Sequence, residues 1–289
     1  MGYLGLGYIL MFFSELVFYG RPPGGVLASL GLLFVYALVG YLVLWLYRAF
    51  AVRGVWGLIL LGAVYGWVLE GAIAGTAFAD LPFSFSFTAL AWHLPFDVGL
   101  GLYLLPRWLA FKSVRFNAAV AAALGLAWGL WAAWPPPVSR PDPGAFFTFA
   151  LISTALLLVV YARVDLSRLG PGTPGALVIM ALLFFWFLLA VAPGAPVSLG
   201  LLPLLLGASL WGLGRLRGRT PAPFPGRPRR ANLWAWGLFP LAAGVTYALL
   251  SAASLRPPTN VVLYLVLTPL GALLWLLALS RASQARGSG

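Results

Sequence analysis

Residues 25–47, GVLASLGLLFVYALVGYLVLWLY, contain no charged side chain, and Arg48 and Arg53 close the stretch. About 20 apolar helical residues cross the ~30 Å hydrocarbon core of a bilayer, so this run is long enough to span by itself. A helix also satisfies its own backbone polar groups, which hydrocarbon cannot do. With Pro, Gly and Arg clusters taken as breaks, nine comparable runs flank it. Before the Pro-rich stretch at 135–143 they are Tyr3–Tyr19, Val52–Gly75, Thr88–Phe111 and Val114–Trp134. After it come Gly144–Ala162, Pro174–Ala192, Pro196–Leu213, Leu233–Ser254 and Asn260–Leu279.

Composition agrees. Of 289 residues, 62% are hydrophobic and 8% charged, against roughly 25% charged in soluble domains. So little charge cannot cover a water-facing surface of this size. There are no cysteines, which excludes disulfides, thiolate nucleophiles, iron–sulfur clusters and Cys-based zinc sites. The first run has no basic segment before it and no small-residue cleavage site after it, so it reads as a retained helix rather than a signal peptide.

The net charge of +12 would suggest a nucleic-acid partner on a soluble protein. Here the basic residues are spread between apolar runs, as the positive-inside rule requires of cytoplasmic loops, and no nucleic acid is implied. Alternate loops divide them 15 to 3, with only Arg21, Arg140 and Arg256 in the poorer set. The expected fold is therefore all-α: a polytopic integral membrane helix bundle of about ten transmembrane helices. Both termini are expected in the cytoplasm (N-in/C-in) and the chain in the cell membrane. Residues 1–134 and 144–280 form two five-helix halves, followed by a short polar cytoplasmic tail at 281–289. An odd number of spans per half inverts the second, a recurrent transporter plan, although no residue pattern recurs between the halves. The richest loop carries Arg215, Arg217, Arg219, Arg227, Arg229 and Arg230, and is expected to lie against anionic headgroups of the lipid bilayer.

Charges inside membrane helices are costly, about 2.5–3.5 kcal/mol at mid-helix, and mark sites by default. Four residues qualify: Glu15, Glu70, the sole histidine His93, and Asp97. Measured along the helices, Glu15, Glu70 and His93 each fall roughly 7 to 8 Å inside an outer end, with Asp97 one turn deeper on the face of His93. They are expected to converge on one outward-facing pocket of the first half, leaving the second half as mostly apolar scaffold. Pro95 removes a donor to the carbonyl of Ala91. The broken run 81–88 before it reads as an interfacial or re-entrant segment.

Such a set suits a secondary transporter of a small solute or ion. In that reading Glu70 and Asp97 hold a proton or cation, His93 relays or hydrogen-bonds the substrate, and Glu15 shapes the mouth. An intramembrane lipid- or prenyl-modifying enzyme is the alternative, since one His and three carboxylates suit zinc, manganese or iron. A paired-His motif and a Glu-x-x-His motif are both absent, and no sequence motif identifies a cofactor. A non-catalytic membrane subunit is the third reading. The 13 Trp, 11 Tyr and 20 Phe are read as interfacial belts and packing.

Overall fold

Apolar runs of this length fold as helices because nothing else satisfies their backbone in lipid. A computed structural model describes residues 2–22 and 24–285. The structure is 76% helical and has no strand among the described residues. Nine helices there are long and apolar enough to cross a membrane: α1 (Gly2–Tyr19), α2 (Gly25–Ala49), α3 (Gly54–Ile73), α5 (Val114–Ala132), α6 (Pro143–Arg163), α7 (Thr173–Val191), α8 (Ser198–Arg215), α9 (Arg230–Ala252) and α10 (Thr259–Gln284). A tenth rod, α4 (89–111), joins a π-helix at Ala89–Leu104 to an α-helix at Leu105–Phe111. It falls outside the nine because His93, Asp97, Pro95 and Pro106 lower its hydropathy. The chain is an all-α, multi-pass membrane helix bundle.

The helix surfaces invert the pattern of a soluble protein. Leu27 is 84% exposed, Leu189 79% and Leu265 70%, whereas Asp97, Asn117 and Asn232 are fully buried. Lipid is the solvent that makes exposed leucine cheap. Helix starts follow ordinary chemistry. Ser113 accepts from the Phe116 amide at the head of α5, and Asp142 accepts from the Ala145 amide with Pro143 in the first turn of α6. Past the end of α6, Asp165 accepts from the Ser167 amide and pairs with Arg168. The Ser167 hydroxyl is the main cause that holds the Asp165 carboxyl below its ordinary range.

The chain divides into two compact units interleaved in sequence. One comprises Met1–Ala37, Gly101–Leu169 and Phe224–Val262; the other comprises Leu38–Leu100, Gly170–Pro223 and Leu263–Gly289. In the first, α9 packs on α5 and α6. Two glycines four apart on α5 permit that approach. A Cβ at Gly125 would overlap the Phe239 carbonyl oxygen, and one at Gly129 would lie 2.5 Å from that of Ala243. Beside this seam Trp128 stacks on Phe239 at 5.0 Å and Phe146 on Tyr247 at 4.2 Å. Asn117 takes the Trp236 indole N–H at 3.0 Å, the kind of bond that ties membrane helices.

The second unit repeats the device. On α3, a Cβ at Gly62 would lie 2.9 Å from Leu94 Cγ, and one at Gly66 would overlap the Ala89 carbonyl oxygen. From α10, Gly271 meets the Leu90 backbone, its Cβ position only 2.9 Å from the carbonyl carbon. The first turns of α4 are thus held between two glycine faces. Small residues four apart are the recurrent means of such close packing in membranes. Trp67 and Trp92 are buried and serve packing rather than an interfacial belt: Trp67 packs edge-on against Trp275 at 5.1 Å, and Trp92 lies 4.4 Å from Phe96. Trp234 is 84% exposed, as an interfacial ring would be.

The expected helix at Thr88–Phe111 starts one residue later, and Leu81–Thr88 is a series of turns. Pro95 lies inside the helix. Because a π-helix bonds five residues apart, the acceptor that loses its donor at Pro95 is the carbonyl of Leu90 rather than Ala91. The last helix runs to Gln284, so the start of the expected polar tail is helical, and residues 286–289 lie outside those described.

The glycine seam is directly testable. Gly66→Ala forces a methyl into backbone and should cost about 1–3 kcal/mol, the usual overpacking penalty. Gly207→Ala, on open helix surface with nothing within 4 Å, should be neutral or slightly stabilising. Thermal unfolding in one detergent compares them; equal melting temperatures would refute the close approach.

Candidate functional site

Each of the four charged residues singled out above sits in a π-helical segment. Glu15 is in Phe12–Leu16, Glu70 in Val68–Ile73, and His93 and Asp97 in Ala89–Leu104. π-Turns are rare, and concentrate at functional sites. Their effect here is rotational. At 100° per residue, Tyr65 and Glu70 would point about 140° apart on a regular α-helix. The wider turn at Val68–Ile73 brings both toward α4, where Tyr65 reaches Asp97 and Glu70 reaches His93.

His93 stands between two carboxylates. Its Nε2 is 2.7 Å from Glu70 Oε1, and its Nδ1 is 2.9 Å from Asp97 Oδ2. The Tyr65 hydroxyl donates to the same Asp97 oxygen at 2.8 Å, and its ring meets the imidazole edge-on at 5.8 Å. The Thr76 hydroxyl donates to Glu70 Oε2. The His93 and Asp97 side chains are 5% and 0% exposed, Glu70 15%. The row Thr76, Glu70, His93, Asp97, Tyr65 is therefore one hydrogen-bonded chain, drawn from α3, α4 and the link between them.

That link fixes where α4 begins. The Ser84 hydroxyl donates to the Ala77 carbonyl at 2.9 Å, Trp67 Nε1 to the Phe85 carbonyl at 2.8 Å, and the Ser86 hydroxyl to the Thr268 carbonyl at 2.6 Å. These bonds hold Thr88 at φ +56°, a left-handed backbone that a β-branched residue rarely adopts and that costs about 1–3 kcal/mol. The amide of His93 then bonds the Thr88 carbonyl, five residues back. Strain at Thr88 and the π-helical start of α4 are thus adjacent links in one backbone path to the histidine.

Proton counting defines what the cluster can do. A neutral imidazole donates through one nitrogen only, so hydrogen bonds on both sides of His93 require two protons among Glu70, His93 and Asp97. With two, the three groups together carry one negative charge, wherever the protons reside. A third proton, or one monovalent cation, makes the set neutral. In a medium that penalises net charge heavily, such a set would be stabilised by one further positive charge.

Of the four expected site residues, Glu70, His93 and Asp97 are brought together within the second unit. Glu15 belongs to the first, where Tyr36 donates to its Oε1 at 2.6 Å and lies 2.5 Å from Ser14 Oγ. Sequence reasoning missed Tyr65, Thr76, Tyr36 and Ser14. A tyrosine in an aromatic-rich membrane chain carries no local signal that separates it from packing. No group of three or more His, Asp or Glu side chains among the described residues has the arrangement of a metal site. Both nitrogens of His93 face carboxylates, an arrangement of proton partners rather than of ligands around a common point.

His93→Ala should destabilise the protein by about 3 kcal/mol or more, because it leaves two buried carboxylates facing each other across a void. Glu70→Gln added to His93→Ala should cost less than the sum of the single changes, with a coupling above about 1 kcal/mol. Denaturant titration in mixed micelles measures both, and strict additivity would mean that the contact carries no energy. The chain matches no family model, no curated protein and no solved structure, so its function is argued from the chemistry of this site.

Proposed function

We propose that the protein is a secondary carrier of a small solute, coupled to a proton or a monovalent cation that binds at Glu70, His93 and Asp97. The observation that carries this reading is the histidine bridge: two carboxylates on the two nitrogens of one buried imidazole. Glu70 and Asp97 take up the charge, and His93 passes a proton between them without leaving its place. Tyr65 and Thr76 hold the carboxylates in position in either state. Embedded acid and histidine chains are the usual equipment of proton-coupled membrane proteins. In this proposal the termini are cytoplasmic, as the distribution of arginine suggests, and the site lies toward the outer face.

The reading separates from metal-dependent lipid chemistry by the geometry of His93. A ligand nitrogen must direct its lone pair at the metal, whereas here each nitrogen is directed at a carboxylate oxygen within 2.9 Å.

Proteoliposomes loaded with a pH-sensitive dye provide the test, with a panel of small solutes added outside. The wild-type protein should take up at least one solute in step with protons, read by the dye, or with sodium or potassium supplied as an inward gradient. Glu70→Gln and Asp97→Asn, each neutral in advance, should lower that coupled flux at least tenfold. Coupled flux at the wild-type rate in the double variant would end the proposal, as would solute uptake with no accompanying charge movement.

A further inference from the structure

Away from the histidine cluster, the first unit contains a cleft of about 730 Å³ between the last turns of α6 and the start of α9. One wall is Ala155, Leu158, Val159 and Ala162; the other includes Leu233 and Trp234. Arg163, Arg227 and Arg230 stand at its rim. None of the three has a carboxylate partner among the described residues. The nearest acid in sequence, Asp165, is occupied by Ser167 and Arg168. The cleft therefore combines three free guanidiniums with an apolar bed, which no single soluble anion or plain hydrocarbon would match.

The bed continues. Ile152, Leu156 and Val159 are each at least half exposed, and their spacing of four and three residues places them on one face of α6, running from the cleft toward the hydrocarbon core. Trp234, the most exposed of the large rings, lies in the first turns of α9 beside Arg230, the kind of helix-end position at which indoles are enriched in membrane proteins. Arg163 closes α6 and Arg230 opens α9, with Arg227 in the loop just before it, so the three come from two stretches far apart in sequence, both in the arginine-rich set of the alternation. Their presence around one cleft makes it a place rather than a general basic surface.

We infer that this cleft binds one anionic glycerophospholipid of the surrounding bilayer, its phosphate on Arg163, Arg227 and Arg230 and an acyl chain along the outer face of α6. Guanidinium and phosphate match in charge and in donor geometry. A cleft of this size accommodates a headgroup and the first methylenes, being within the range of small-molecule sites.

The full chain, purified in a neutral detergent, is titrated with phosphatidylglycerol or phosphatidylcholine and read by native mass spectrometry and melting temperature. Phosphatidylglycerol should bind with one tight site and raise the melting temperature; phosphatidylcholine should do neither. Arg163→Gln, Arg227→Gln and Arg230→Gln should each weaken binding roughly fivefold, and together about a hundredfold, given about 1 kcal/mol per arginine near a membrane surface. The single Arg163→Gln variant decides the matter if the triple one does not fold. A control triple, Arg48→Gln with Arg115→Gln and Arg281→Gln, lies outside both the cleft and the 215–230 loop, loses the same charge and should bind as the wild type. Equal loss in the control would show mere net charge at work and overturn the inference. So would equal binding of the two lipids, or displacement by glycerol phosphate at the same concentration, which would assign the cleft to a soluble phosphate. None of these outcomes bears on the histidine cluster.

Discussion

At Gly66 the backbone of α3 lies against the Ala89 carbonyl with no side chain between them. The rest of the second unit depends on that approach. A helix separated from α4 by ordinary side chains would stand several ångströms farther off, and neither Tyr65 nor Glu70 would reach its partner across the gap. With glycine at 62, 66 and 271, dispersion contacts between backbones hold the rods together where lipid offers no hydrophobic drive. The polar chain then forms as a consequence of proximity. It is the small residues, not the charged ones, that determine whether the charged ones meet.

The same logic shapes the first unit, where Gly125 and Gly129 seat α9 and aromatic rings fill the space beside the seam. Two units using one packing device explain how a chain so poor in polar residues specifies its contacts. Leucine against lipid and leucine against leucine are nearly equal in energy, so leucines select no particular arrangement. Notches at glycine and a few bonds such as Trp236 to Asn117 and Trp275 to Ser209 do.

What was legible in the sequence follows from this. Spans were visible because hydrophobic length is a property of a local window, and the starts and ends of most helices came within a few residues. Glu70, His93 and Asp97 were visible because charge in hydrocarbon is rare. Tyr65 was not, since its role depends on an extra residue in the turn at Val68–Ile73, and no residue type announces a π-turn. Counting by α-helical period puts Tyr65 on the wrong side of its helix. The π-helical form of the start of α4 was hidden for a similar reason: it is fixed by side chains far along the chain, Ser86 reaching Thr268 among them, and by Thr88 in a conformation its own chemistry disfavours.

The anchoring of residues 84–88 has a genetic meaning. Trp67 and Ser86 hold the backbone that presents the imidazole, although both side chains bond to main-chain carbonyls rather than to the cluster. In a screen scored only by activity, lesions at these two positions would fall in one phenotypic class with lesions at the histidine itself. Suppressors of the two kinds would differ. A lost anchor is open to compensation by any change that restores the loop, while a lost imidazole has no substitute elsewhere in a chain with one histidine.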